Sequence, residues 1–355
     1  MVDTRRPRGL TIALVAAVAA VLFAVAFAAT RLSGLQGRVL PNQRTDARQA
    51  PGFTGIDGWV NSEPLALEGL RGKVVLVDFW TFSCVNCVRT FPFLRDLYQR
   101  YHPAGLEIVG VHAPEFDFER DEANVAAAIE RHDLPYPVAL DNQMTTWRAY
   151  RNLYWPHVYL IDAEGTIRFD HIGEGGEHEI EQQVRSLLVE AGADLPARLD
   201  NAEPTFTPHI TPEVYAGFER GNAQRSLANA EGWAPGNITT YERVSPGDIE
   251  RAGTGGRFFL EGTWRITDEY VEAVGSDARV LLPFYARDVF VVAGGPARAA
   301  VLLDDAPADG PGVVGGIAEV DRDDLFHVLR LDEPSERVLT LEVTEGFRLF
   351  TFTFG

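Results

Sequence analysis

The chain has 355 residues, 46% of them hydrophobic, which suits two packed domains with additional segments and excludes wholesale disorder. A formal net charge of −19, with no Lys/Arg cluster downstream of the N-terminus to offset it, repels phosphate backbones and argues against nucleic acid as a partner. The only two cysteines, Cys84 and Cys87, allow no disulfide framework, so their C-x-x-C spacing is read as a local chemical device.

Arg5, Arg6 and Arg8 precede an apolar run from Leu10 to Ala29 in which Thr11 is the only polar side chain. Twenty helical residues at about 1.5 Å each span roughly 30 Å, the hydrocarbon thickness of a bilayer. Residues 1–30 are therefore expected to form a single-pass signal-anchor transmembrane helix. A cleavable signal peptide is the rival reading, since Ala26, Ala28 and Ala29 suit a peptidase, but such peptides typically carry only about 7–15 apolar residues. Arg31, Arg38, Arg44 and Arg48 follow the run and blunt the positive-inside signal. Either reading puts the bulk of the chain outside the cytoplasm, at the cell membrane, where disulfides persist. Residues 31–50, polar and without hydrophobic period, read as a tether.

A first globular unit is expected over 51–195. Val74 to Phe79 is a β-branched run fit for a central strand, and Val85 to Tyr101 carries apolar residues at helical spacing. A strand at Leu106 to His112, a helix at Asn124 to His132, strands at His157 to Asp162 and Thr166 to Ile172, and a helix at Glu179 to Ala191 complete a mixed α/β sheet covered on both faces. Proline-rich residues 196–212 read as a linker. Over 213–355 helical period gives way to eight strand-like runs, at 258–260, 263–267, 279–284, 289–293, 299–303, 325–331, 338–343 and 347–354. In the last, Phe350, Phe352 and Phe354 alternate with threonines, as on a strand with one buried face. An all-β sandwich, jelly-roll-like, is the expected second domain.

Two thiols three positions apart at a helix start can close a small ring, and the first meets the free N–H groups and dipole that favour a thiolate. Cys84 is thus the expected nucleophile and Cys87 the residue that resolves a mixed disulfide. Asp78 interrupts an apolar strand six residues earlier; buried beneath the dithiol it would titrate high and exchange a proton with Cys87, whereas at a sheet edge it would be an ordinary surface acid. Pro156 stands directly before an apolar strand, either in a cis bond or as a trans proline marking the strand's start. Metal and haem readings find little support: His102 and His112 follow at no common zinc spacing, and Val88 stands where haem attachment needs histidine.

The stretch from Gly72 to Cys87 (GKVVLVDFWTFSCVNC), with Gly110 to Phe116 (GVHAPEF) and Tyr154 to Asp162 (YWPHVYLID), resembles the TlpA-like thioredoxin family and the periplasmic part of bacterial DipZ proteins. The ending, from Tyr285 to Val289 through Phe350 to Gly355, resembles the β-rich domain that follows in DipZ, sometimes likened to a carbohydrate-binding module. The resemblance implies an α/β thioredoxin-like fold and a thiol–disulfide oxidoreductase of the protein-disulfide reductase type. Its redox-active disulfide is Cys84–Cys87, with no further cofactor. It also implies Asp78 as the buried acid, Pro156 as a cis proline facing the dithiol, and the backbone of Trp155 as a docking point for a substrate strand, with Trp80 and Glu115 at the same site. DipZ joins these domains to a multi-helix electron-conducting membrane domain, in whose place a single apolar run stands here. The expected donor is therefore a separate membrane thiol carrier of the DsbD/CcdA type, and the expected substrates are oxidised extracytoplasmic proteins, apocytochrome c among them.

Val85 and Asn86 place no cation between the thiols, which favours a reducing role over a disulfide oxidase or isomerase. The alternative from another class is a glycan- or partner-binding protein with a redox adaptor. For that reading Trp233, Tyr241, Trp264, Tyr270 and Tyr285 are the candidate stacking residues, against the commoner role of sandwich aromatics as core.

Overall fold

The structure is a computed structural model and describes residues 48–199 and 210–355. The expected membrane helix at 1–30, the tether up to residue 47 and residues 200–209 of the expected linker lie outside the described residues. Among those described, no helix is long and apolar enough to cross a membrane.

The first domain comprises β1 (Arg48–Gln49), β2 (Gly58–Val60), β3 (Val74–Trp80), α1 (Val85–Tyr101), β4 (Leu106–His112), α2 (Glu122–Arg131), β5 (Val138–Leu140), α3 (Thr145–Tyr150), β6 (His157–Ile161), β7 (Thr166–Ile172) and α4 (Glu177–Glu190). Its seven strands run in the order β1-β7-β6-β3-β4-β5-β2, with β3, β4 and β5 parallel and the other pairs antiparallel. This is a thioredoxin-like fold. Arg48 and Gln49, expected to belong to the tether, instead pair with Ile167 and Thr166 at the sheet edge. Strands β1, β2 and β5 and helix α3 were absent from the sequence reading because each is too short to show a period.

Every residue of β3 and β4 is buried, which accounts for their unbroken apolar character. Side chains alternate across a strand. Val74, Leu76 and Trp80 belong to a core shared with Phe91, Leu94 and Leu97 of α1, Val125 and Ile129 of α2, and Val184 and Leu188 of α4. Val75, Val77 and Phe79 belong to the opposite core, covered by Leu67, Leu70 and the α3 aromatics Trp147 and Tyr150. Leu97 is fully buried in the first core, and its truncation to Ala costs about 2–5 kcal/mol. By the same alternation Asp78 lies on the α1 side, the side of the dithiol. Helix α1 ends before Pro103, which has no N–H to continue it, and Gly105 turns the chain with φ of 103°.

The expected linker is shorter than 196–212. Leu195 and Leu199 pack on the first core, the Pro196 carbonyl accepts from Arg185, and Leu199 N–H donates to Glu181. At the far end Thr211 N–H donates to the Tyr285 carbonyl, so it already belongs to the second domain.

The second domain comprises β8 (Val214–Tyr215), α5 (Phe218–Gln224), β9 (Ile238–Tyr241), α6 (Pro246–Ala252), β10 (Phe259–Ile266), β11 (Val271–Ala273), β12 (Ala278–Gly294), β13 (Ala297–Leu303), β14 (Ala306–Pro307), β15 (Ile317–Val320), β16 (Asp324–Val343) and β17 (Arg348–Phe354). Its ten strands hydrogen-bond into one continuous sheet, which corrects the expectation of two separate sheets. The first half of β12 pairs with β10, its second half pairs with β17, and β10-β11-β17 closes the ring around a core containing Trp264, Phe258, Phe284 and Phe352. Three pairs of runs expected as separate strands are single strands. Gly262 carries β10 through a φ of 81°, and a bulge between Ala286 and Asp288 of β12 lets it and the 20-residue β16 bend without ending.

The two domains are packed together. Phe116 and Phe118 of the first meet Phe350, Val292, Tyr270 and Leu325 of the second, with Phe350 edge-on to Phe116 at 5.2 Å and to Phe118 at 5.0 Å. Arg131 pairs with the buried Asp324 at 2.7 Å, and Arg89 of α1 donates to the Phe354 carbonyl at 3.3 Å.

Candidate active site

The turn between β3 and α1 carries the dithiol. Cys84 is the N-cap of α1, with an extended backbone (φ −81°, ψ 109°), and its sulfur accepts the Cys87 N–H at 3.3 Å. Cys84 is partly exposed and Cys87 is buried, both as free thiols. The first sulfur is thus the one open to a partner molecule and the second the one shielded from it.

Burial raises the Cys84 thiol pKa above its ordinary value; the hydrogen bonds from Cys87 pull it back down, and the charges of Glu115 and Glu213 push it up again. The helix start therefore does not leave Cys84 with the low pKa expected from its N–H groups alone: desolvation and two carboxylates outweigh them. Cys87 is pushed well up, first by burial, then by its hydrogen bond to Cys84 and by the charges of Cys84 and Asp78.

Asp78 is fully buried, neither carboxyl oxygen has a hydrogen-bond partner, and desolvation moves its pKa to about 7. It stands opposite Gly110 in the β3–β4 ladder, where a Cβ on residue 110 would come within 2.8 Å of Trp80 Nε1 and 3.3 Å of the Tyr136 ring. Glycine at this position makes room for the polar floor behind Cys87. The Tyr136 hydroxyl, also buried and unpartnered, has its pKa driven well up by burial and by Asp78 and Cys87.

Pro156 is buried and its bond to Trp155 is cis. The Trp155 indole donates to the Ala113 carbonyl at 2.9 Å and packs on Trp147 at 4.2 Å, tying the proline loop to the end of β4. Trp80 does not fit the substrate-contact role that the resemblance implied. It is completely buried, edge-on to Phe91 and His112, and forms part of the floor. Glu115 is buried against the second domain: its side chain is 7% exposed, accepts from Tyr215 at 2.6 Å and pairs with Arg220.

The sequence reading missed Glu119. It is fully buried in the short turn Asp117–Arg120, where its carboxylate takes Ser83 O–H at 2.6 Å, Ser83 N–H at 3.3 Å, Glu115 N–H at 2.6 Å and Phe116 N–H at 3.0 Å. Burial, with a contribution from Glu115, still lifts its pKa to about 7. His112, stacked on Phe82, is held neutral by burial, its pKa lowered to about 3. No local pattern in the sequence marks Glu119.

Among the described residues no group of three or more His, Cys, Asp or Glu is placed to hold a metal ion. The candidate stacking aromatics are mostly unavailable to a glycan: Trp264 and Tyr241 are core and Tyr270 packs on Phe350 at the domain interface. A cleft of about 380 Å³ in the second domain is lined by Glu231, Arg243, Asp248, Arg251 and Arg257, and its one aromatic, Phe259, is buried.

Residues 47–170 match the AhpC/TSA family and residues 211–355 match the thioredoxin-like C-terminal domain family. Protein DipZ of Mycobacterium tuberculosis (strain CDC 1551 / Oshkosh) is 37% identical over 314 residues, covering 86% of this chain. The chain spans 43% of the length of that relative. Thiol-disulfide oxidoreductase YkuV of Bacillus subtilis (strain 168) is 28% identical over 140 residues, 39% of this chain and 94% of the relative. A solved thioredoxin-like protein in its oxidised form is 29% identical, covers 41% of this chain and 97% of its own, and superposes with a TM-score of 0.38. With its dithiol at the mouth of α1 and its likeness to DipZ running through both domains, the chain is a homologue of part of DipZ, and its two domains match the AhpC/TSA and thioredoxin-like C-terminal families.

Proposed function

We propose that the chain is a membrane-tethered, extracytoplasmic protein-disulfide reductase in which Cys84 attacks and Cys87 resolves. The observation that carries this reading is the Asp78 carboxyl, buried without a hydrogen-bond partner on the α1 side of β3 and titrating near neutrality at about 7. A proton acceptor of that pKa suits a neighbour whose thiol is otherwise held far from ionising.

An extended substrate segment docks on the backbone of Trp155 beside Pro156. The Cys84 thiolate attacks one sulfur of the substrate disulfide; that bond breaks, the far sulfur leaves and is protonated, and Cys84 carries the mixed disulfide. Cys87 passes its proton to Asp78 and attacks the Cys84 sulfur. The Cys84–Cys87 bond forms and the second substrate sulfur leaves as a thiolate. Two electrons have moved to the substrate, and an external dithiol, in this reading a membrane thiol carrier of the DsbD/CcdA type, returns them. Because burial, Glu115 and Glu213 hold the Cys84 thiol up against the hydrogen bonds from Cys87, the reduced form gains no net thiolate stabilisation, which favours donation over oxidation.

The apolar run at 10–29 supports the membrane tether and an extracytoplasmic site, with oxidised proteins such as apocytochrome c as substrates. The test is insulin reduction by the full chain with a chemical dithiol as donor, with cell fractionation in parallel. The reading expects turnover abolished by Cys84→Ala and recovery of the chain in the membrane fraction. Turnover that survives Cys84→Ala, or a chain found free in the cytoplasm, contradicts it.

A further inference from the structure

The second domain reaches the dithiol through Glu115. The Tyr215 hydroxyl lies 2.6 Å from the Glu115 carboxylate and 3.1 Å from that of Glu213, and Arg220 forms an ion pair with Glu115. The Arg220 guanidinium also lies over the rings of Tyr215 at 4.8 Å and Trp155 at 5.8 Å, so it bridges the proline loop as well. On its other side, Glu115 is held by its backbone N–H to Glu119, whose carboxylate takes both donors of Ser83, the residue before Cys84. An unbroken chain of polar contacts thus runs from the second domain to Ser83, one residue before Cys84.

We propose that Tyr215 and Arg220 are positioning residues through which the second domain fixes the Glu115 charge beside Cys84 and so sets the reactivity of the dithiol. The inference deepens the reductase reading and rests on Cys84 as the reactive sulfur. A carboxylate near a thiol opposes thiolate formation, and a guanidinium paired with that carboxylate cancels part of the opposition. The groups in play are few: Glu119, Glu213, Tyr215 and Arg220 face Glu115, while Cys87, Glu115 and Glu213 act on Cys84. Loss of Arg220 leaves the Glu115 charge uncompensated, whereas loss of Glu115 removes the opposition itself.

The experiment uses the full chain carrying Cys87→Ala, so that Cys84 alone reports, and reads its thiol pKa from the pH dependence of iodoacetamide alkylation. Arg220→Gln is expected to raise that pKa by about half a unit or more, Glu115→Gln to lower it by a similar amount, and Arg220→Lys to restore most of the shift. In a Glu115→Gln background, Arg220→Gln should add no further rise. Tyr215→Phe, a smaller change, is expected to shift the pKa upward and serves if Arg220→Gln does not fold. An unchanged pKa in both Arg220→Gln and Tyr215→Phe, or an Arg220→Gln shift of equal size without Glu115, overturns the proposal. Alkylation needs no turnover: if the shifts appear but the chain with Cys87 intact reduces no disulfide, the reductase reading fails and the coupling stands.

Discussion

The backbone N–H of Cys87 points at the sulfur of Cys84 from 3.3 Å, so in the proposed mechanism the residue that resolves the mixed disulfide also steadies the sulfur that forms it. Cys84 is the N-cap of α1, and Cys87 lies one turn into the helix on its buried side. The asymmetry in exposure supports the separate roles proposed for them.

Mutation of either cysteine therefore gives a different product. Cys87→Ala is expected to accumulate a mixed disulfide with substrate at Cys84, visible on non-reducing gels and by intact mass, while Cys84→Ala forms none and loses turnover. Equal adducts from both variants would contradict the assignment.

Asp78→Asn is expected to slow resolution of the mixed disulfide by about 10²-fold, the lower range for loss of a positioned acid or base. Stopped-flow measurement of the decay of a substrate adduct checks this, with the attack step on Cys84 as the internal control.

The same carboxyl makes stability depend on pH. Its folded pKa of about 7 lies above the ordinary 3.8, so the native state holds the proton more tightly than the unfolded chain does. The stabilisation is complete at acid pH below the unfolded value and is lost as pH rises towards and through 7, at about 1.4 kcal/mol per unit for one group. Glu119, also moved to about 7, acts with the same sign. Urea unfolding between pH 5 and pH 8 should show stability falling with pH, and Asp78→Asn should flatten the fall while leaving the Glu119 part.

Much of this was legible in the sequence, and the rest was hidden for physical reasons. Strand β4 and helix α1 fall on the residues that apolar runs and helical spacing marked, and β3 extends one residue further, because burial on both sides of the sheet leaves a strong signal. Asp78 was legible for the same reason, as an acid in an apolar run. Trp80 was not, because a tryptophan beside a dithiol looks the same in sequence whether it faces substrate or floor. The Glu115–Tyr215 and Arg131–Asp324 contacts join residues 100 and 193 positions apart, which no local period encodes. The long strands β12 and β16 were read as pieces because Arg287 and Asp288 in one, and Asp332, Glu333 and Pro334 in the other, interrupt the apolar runs, whereas a sheet that bends at bulges carries the chain past them.

Glu119→Ala is expected to destabilise the fold by about 3 kcal/mol or more, since it strands the buried N–H groups of Ser83 and Phe116 together with that of Glu115. Equilibrium denaturation measures the loss. Glu119→Gln, which keeps an acceptor oxygen, should recover part of it.

Phe350→Ala opens a cavity between the domains where Phe116 and Phe118 pack, with an expected cost of about 3–5 kcal/mol. A single cooperative transition in the parent that splits into two in this variant would show that the interface couples the domains.

The central claim is most directly tested by titrating the Cys84–Cys87 pair against dithiol and glutathione buffers of known potential and reading the reduced fraction by thiol labelling. The account predicts a reversible two-electron transition near the reducing end of the range, roughly −270 mV. A pair that does not cycle, or one that titrates near the strongly oxidising value of about −120 mV, contradicts it.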